Sequence, residues 1–407
     1  MAAAYATIAL LLATGFVVAI LGGGFRAIQR SDYMTYHLAG RMLLAGKGDC
    51  LYEITCQASE ERSLVGEEPI VKGGPLPFNS TPTVGVLAIP FALLPLELGF
   101  YIWTILSVGV LALAAWRLAW GGRLLLFAAV ALILSAWPTA TAAIRGQLSI
   151  AVVAMLGLSA AALLSSLNRA TGVHTSRPSG GILAGLASLK PTLVPLHWLW
   201  FAATRRWVQL ARAIAAAAVL VAIALVIVGP RAVLDYPAYL LSAGSDTALG
   251  IHPEQMINWR GAADRVGGGA IGSAVLVMGT IVTLAVLGAV WAWTSQSHRA
   301  IPLAIAATFL ATPLVIPHAN QHEAILAELG VLVLLAGVPS ARPALVPAAI
   351  GFHAVLWLGP ALSAEASGWL LFGSQLAWLV VVAAVAWRER RGHDRPPENA
   401  QPAAAPA

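Results

Sequence analysis

Hydrophobic positions along this chain fall in long unbroken runs, separated by polar segments that are mostly short. The apolar runs lie at roughly 5–28, 82–96, 98–116, 123–138, 147–167, 181–203, 211–229, 271–294, 301–316, 322–338, 344–361 and 369–387. Runs this long and this uniform in Leu, Ala, Val and Ile are helices rather than barrel strands, because in hydrocarbon each backbone polar group must be bonded within its own segment. The pattern predicts an all-α polytopic membrane protein with about twelve transmembrane helices. Runs 82–96 and 123–138 are shorter than the ~20 residues that cross a ~30 Å core. Pro191 interrupts run 181–203, so short or re-entrant helices around a cavity are expected, and 82–96 and 181–203 either span or re-enter.

Composition agrees with this pattern and adds orientation. At 59% hydrophobic and 10% charged residues over 407 positions, the chain lacks the polar surface of a water-soluble globule. Its net charge of +6 comes from basic residues scattered in short loops. That scatter fits topology signals and lipid-headgroup contacts, not nucleic acid. Arg205, Arg206, Arg212, Arg299, Arg342, Arg388, Arg390, Arg391 and Arg395 mark cytoplasmic ends. Counting from them puts both termini inside and segments 29–81, 230–270 and 317–321 outside. Arg117, Arg123, Arg169 and Arg177 obey the rule only if 82–96 and 181–203 re-enter. The first run lacks a basic n-region and a small-residue cleavage site, so it is expected to stay as a signal anchor. Residues 1–395 then form one transmembrane domain, and 396–407 a disordered cytoplasmic tail.

A few polar residues stand out against this background. Asp32 follows Arg30-Ser31 where the first apolar run ends, with Tyr33, Tyr36 and His37 just beyond. An acid at a membrane exit is a candidate general base; the plainer alternative is that Ser31 or Asp32 caps a helix. Lys190 is the one lysine inside an apolar run, next to Pro191. A cation there either snorkels or lines a wet cavity, where it suits a phosphate. Gln147, after Arg145-Gly146, either sits in an ordinary turn or bonds a sugar hydroxyl. His318, Asn320, His322 and Glu323 cluster after Pro317, and the spacing of His318 and His322 places both imidazoles on one helical face. A zinc pair is one reading, a sugar-bonding cluster or second base the other. Glu328 is expected to pair within the bundle. His252, Glu254, Asn258, Trp259, Arg260, Asp264 and Arg265 give 230–270 the look of a carbohydrate- or headgroup-binding lid, or of an ordinary structured loop. Cys50 and Cys56, the only cysteines, can form a disulfide if 29–81 faces an oxidising compartment.

Asp32-Tyr33, Ala39-Gly40, Gly46, Tyr52, Phe78, Pro82, Leu94-Pro95, Trp103, Gly146-Gln147, Gly185-Leu186, Lys190-Pro191 and Arg205-Arg206-Trp207 occur in an order that resembles glycosyltransferase family 87. The resemblance implies a GT-C type glycosyltransferase fold. It also implies transfer of a sugar, usually mannose, from a polyprenyl-monophosphate carrier on the extracytoplasmic side of a bacterial inner membrane, forming an α-(1,2) linkage with inversion. On it, Asp32 is the base and His318 or His322 assists. Glu323 stands where the family commonly has an aspartate, and Asn258-Trp259-Arg260 only loosely echoes the family's middle-loop stretch. Lys190, Arg30 and Arg260 are the candidate phosphate contacts. Tyr33, Tyr36, Gln147, Asn258, Asn320 and Glu323 are the candidate sugar or acceptor contacts. The acceptor would be a glycolipid or polysaccharide. No cofactor or metal is required, since Lys and Arg can handle a phosphomonoester leaving group, although a divalent cation is compatible. The rival readings are a transporter or flippase of a lipid-linked or polar solute, and a polymerase or ligase that uses a polyprenyl diphosphate.

Overall fold

In a computed structural model of the chain, the described residues are 24–66, 76–119, 123–167, 179–243, 252–295, 300–338, 342–358 and 362–393. Most of the first apolar run and the 396–407 tail lie outside them. The described residues form eighteen α-helices joined by short 3-10 turns, with no strand among them.

After α1 (Gly24–Gln29), at the end of the first apolar run, the described part of the segment expected as a first loop is largely helical: α2 (Asp32–Leu44) and α3 (Ile54–Val65). Ser31 starts α2 by accepting from the Met34 N–H at 3.3 Å, and Asp32 occupies the first turn, where the helix dipole favours a carboxylate. Cys50 and Cys56 are disulfide-bonded, tying the 3-10 turn Gly48–Cys50 to α3.

Prolines punctuate the apolar part of the chain. α4 (Pro82–Ala92) opens on a proline and ends just before Pro95, after which α5 (Leu96–Leu118) begins. Run 123–138 breaks at Ala136 into α6 (Arg123–Ser135) and α7 (Trp137–Ile144), and α8 (Ser149–Leu167) follows. Run 181–203 is broken as Pro191 suggests, into α9 (Ser179–Leu186) and α10 (Pro195–Ala203), with two 3-10 turns meeting at Lys190.

Next come α11 (Trp207–Ile227), α12 (Pro230–Ala243), α13 (Trp259–Arg265) and α14 (Gly269–Thr294). The described part of 230–270 is thus also mostly helix, since Asn258 caps α13. α15 (Ile301–Val315), α16 (Ala324–Gly337), α17 (Arg342–Leu358) and α18 (Ala364–His393) complete the bundle.

Among the described residues, four helices, α5, α11, α14 and α18, are long and apolar enough to cross a membrane. The 23 residues of α5 run roughly 34 Å, more than the ~30 Å hydrocarbon core. α4, α8, α15 and α17 are apolar but shorter, as is the stretch Ser179–Leu189. α15 is buried from Ile301 through Leu314 and packs on α16, so this all-round apolar pair forms the centre. α11 and α14 instead expose residues such as Val226 (85%) and Ile271 (69%). A surface of that kind needs lipid rather than water against it. Within the bundle the Glu328 carboxylate lies 3.4 Å from His353 Nδ1, the pairing expected of an intramembrane acid.

The three polar segments converge. Tyr239 on α12 donates to the Asn79 carbonyl Oδ1 at 2.6 Å, and Arg231 reaches Glu53 at 3.3 Å. Asn258 donates to the Ile316 carbonyl at 2.7 Å, and the Ile257 N–H to the Ala319 carbonyl at 2.9 Å.

One clasp in this assembly is sensitive to pH. Gln57 and Glu61, one turn apart on α3, accept from the Phe78 and Leu76 N–H groups at 2.8 and 3.0 Å and so hold the chain entering α4. Burial pushes the Glu61 carboxyl up to about 7, against the pull of the Leu76 N–H. The folded state therefore holds a proton that the unfolded chain has already released, and stability declines as pH rises from the ordinary carboxylate range to about 7. Thermal melts of the purified protein should show this decline, and Glu61→Gln should flatten it. A Glu61→Gln protein with the same pH dependence would rule the clasp out as its cause.

Candidate active site

The turn Arg145-Gly146-Gln147 joins the two halves of the site. It docks on the start of α2, where the Tyr33 N–H donates to the Arg145 carbonyl at 3.1 Å and Trp103 Nε1 to the Gly146 carbonyl at 2.9 Å. Gly146 has φ +60°, and a Cβ there would sit 2.5 Å from the Tyr33 Cβ, so both its conformation and its contact require glycine. The turn presents Gln147, whose Nε2 donates to Asp32 Oδ2.

Two residues on, Ser149 reaches the other half. Its hydroxyl lies 3.0 Å from Glu323 Oε1 and 2.7 Å from Lys190 Nζ. Lys190 also donates to Glu323 Oε1, and His322 Nε2 lies 3.0 Å from the same oxygen. Glu323 Oε2 accepts from the Asn320 N–H at 2.8 Å, completing a capping box at the 3-10 turn Gln321–Glu323. Burial by itself would raise the Glu323 carboxyl, but His322 and Lys190 outweigh it and hold it well below the usual carboxylate range. With both oxygens bonded in this way, Glu323 is an anchor for Lys190 and a poor proton acceptor. An ammonium has three N–H donors. Two of those of Lys190 are spent on Ser149 and Glu323, leaving one for a ligand.

Between these halves stands Tyr36, whose phenol is pushed up by burial and then by Asp32, with a smaller part from Glu323. Ser80 and the Leu148 backbone hydrogen-bond its hydroxyl.

His318 and His322 do not share a helical face, contrary to the spacing argument. Residues 318–320 are not helical, Asn320 caps the turn that follows, and helix begins only beyond His318. Burial pushes the His318 imidazole down to about 4, with Glu323 opposing, so the ring is neutral at pH 7. Its Nε2 meets Asn320 Nδ2 at 3.0 Å. If the amide donates there, the ring proton sits on Nδ1, which is buried and bonded to nothing among the described residues. That arrangement is a hydrogen-bond donor rather than a base.

The structure thus gathers Asp32, Tyr36, Gln147, Lys190, Asn320, His322 and Glu323, with His318 and Arg260 beside them. Arg260 lies on α13 with Nη1 at 3.4 Å from the Pro317 carbonyl, and its charge acts on His318. Arg30 is exposed on the turn before Ser31. Tyr33 is fully buried, edge-on to Phe100 and with its hydroxyl 3.3 Å from His37. Asn258 is also fully buried, with both side-chain polar atoms bonded to backbone, from the Gly261 N–H and to the Ile316 carbonyl. Among the described residues no three His, Cys, Asp or Glu side chains gather as metal ligands. Sequence reasoning missed Ser149. Its only signal is its place two residues after Gln147, and a serine opening a helix looks like an ordinary cap.

Helices too apolar for water, several of membrane-spanning length, surround a polar cluster that holds a carboxylate and a paired ammonium. That combination defines a multi-pass membrane protein with an enzyme-like site. Residues 78–317 match Glycosyltransferase family 87, so the chain belongs to that family and is a glycosyltransferase, acting on a sugar donor and an acceptor. The matched span contains Gln147, Ser149, Lys190, Asn258 and Arg260, with Asp32 before it and the 318–323 cluster just after. No curated protein and no solved structure matches the chain.

Proposed function

We propose that this glycosyltransferase moves a sugar, mannose, from a polyprenyl-monophosphate carrier to an acceptor hydroxyl on a glycolipid or polysaccharide, with inversion and formation of an α-(1,2) linkage. The observation that carries this reading is the polar cluster in which Gln147 holds Asp32 and, two residues on, Ser149 bonds a lysine with one donor to spare. In a single displacement the acceptor O–H gives its proton to Asp32 as its oxygen bonds the anomeric carbon. On the opposite side of the ring the bond to the carrier phosphate breaks, and the phosphate leaves with the electron pair. Lys190 and Arg260 stabilise the charge developing there, and Arg30 meets the headgroup at the rim. Tyr36, Gln147, Asn320 and His318 bond sugar hydroxyls, His322 with Glu323 sets the position of Lys190, and Tyr33 and Asn258 hold the walls. With Lys and Arg supplying positive charge, the reading calls for no cofactor or metal.

The site works on the extracytoplasmic side of a bacterial inner membrane, in a single GT-C type domain with about twelve membrane helices. The Cys50–Cys56 disulfide supports an oxidising face for this side. Family membership favours transfer over transport.

The test is transfer of labelled mannose by purified protein, with and without chelator, from polyprenyl-phosphate mannose and from a diphosphate-linked sugar. Turnover of the monophosphate donor alone is expected. Turnover of only the diphosphate donor would move the enzyme to the polymerase or ligase class.

A further inference from the structure

Ser80 has the candidate site on one side and a cavity on the other. Tyr36 bonds it from the site, and Tyr52 donates to its carbonyl at 2.8 Å from the opposite direction. Beyond Tyr52, where the 3-10 turn Gly48–Cys50 meets α12, lies a cavity of about 350 Å³ lined by Asp49, Tyr52, Glu53, Arg231, Asp235 and Tyr239. That volume sits at the small end of the roughly 300–1,000 Å³ range of ligand pockets.

The lining has a definite chemistry. Tyr52 and Tyr239 hold their ring centroids 4.9 Å apart, giving the cavity an aromatic side with phenol rims, and Tyr236, outside the lining, packs 5.4 Å from Tyr52. Arg231 lies 3.3 Å from Glu53 and 3.7 Å from Asp235, so the polar rim is already arranged without a ligand. Three carboxylates face a single guanidinium, a balance that repels phosphate and anionic headgroups. The same carboxylates accept readily from hydroxyls, and aromatic faces stack on the C–H faces of a pyranose. A neutral polyhydroxylated ring fits where an anion does not.

We infer that this cavity is an acceptor subsite, binding a pyranose unit of the acceptor glycan next to the unit whose hydroxyl is glycosylated. The inference rests on the transfer reading above and narrows its acceptor to a saccharide of at least two sugar units. The donor, with its phosphate, stays on the Lys190 side of Ser80.

Binding can be measured without any donor, which separates this proposal from the identity of the carrier. Saturation-transfer NMR on the detergent-solubilised full chain would use α-(1,2)-mannobiose, maltose and cellobiose as probes, with methyl α-mannoside and glycerol phosphate as controls. At least one disaccharide should bind saturably and better than either control. Asp235→Asn, an exposed change that leaves the fold alone, and Tyr239→Ala should each weaken binding at least about tenfold, while Tyr239→Phe keeps it. In transfer assays Asp235→Asn should raise the acceptor KM with kcat within roughly twofold. Absence of disaccharide binding, or binding unchanged in Asp235→Asn and a folded Tyr239→Ala, overturns the subsite even if lipid-dependent transfer proceeds normally.

Discussion

Asp32→Asn should lower sugar transfer by about 10²- to 10⁴-fold, the range that a positioned general base contributes, while leaving the protein folded. The change keeps the shape of the side chain and an oxygen able to accept from Gln147 Nε2. Capping of α2 falls to Ser31, so what Asp32 gives the fold is only its charge near a helix N-terminus, worth about 0.3–1 kcal/mol. A fall in kcat at an unchanged melting temperature is the expected signature. Near-wild-type turnover would place the base elsewhere. His322 would be examined before His318, because His318 Nε2 already meets the Asn320 amide.

The second large effect concerns the ion pair opposite. Lys190→Met leaves Glu323, a carboxylate with a fully buried side chain, with His322 as its only remaining counter-charge, and removing one partner of a buried pair costs up to about 3–5 kcal/mol. A marked drop in melting temperature together with lost transfer is expected. The double variant Lys190→Met/Glu323→Gln removes the stranded charge and should recover most of the stability. Transfer should stay lost, because the phosphate contact is gone. An active double variant would mean that Lys190 does no more than neutralise Glu323.

The lines between sequence and structure can be drawn residue by residue. Nearly every described apolar run became helix, because lipid leaves the backbone no other partner. Pro191 marked a true break, because a proline lacks the N–H that continuing the helix needs, although Pro90, Pro237, Pro313 and Pro347 are carried inside helices. Polar segments were harder. Ser31 and Asn258 start helices inside stretches that composition alone marks as loops, because a single capping side chain outweighs the general polarity around it. The pairing of His318 with His322 on one face failed for a similar reason, since the helix starts only after the Asn320 cap.

The sequence by itself determined the membrane setting, the helical class and most of the residues that meet in the site, since these follow from local pattern and from the cost of a lone charge among apolar neighbours. The tertiary structure decided the partnerships. Asp32 meets Gln147 from 115 positions away, and Lys190 meets Glu323 from 133. Such pairs depend on how bundled helices bring distant turns together, and no local spacing encodes that. Surroundings then decide their chemistry: His322 and Lys190 overcome burial to keep Glu323 an ionised anchor, while burial keeps His318 neutral, because the cost of a charge depends on what surrounds it.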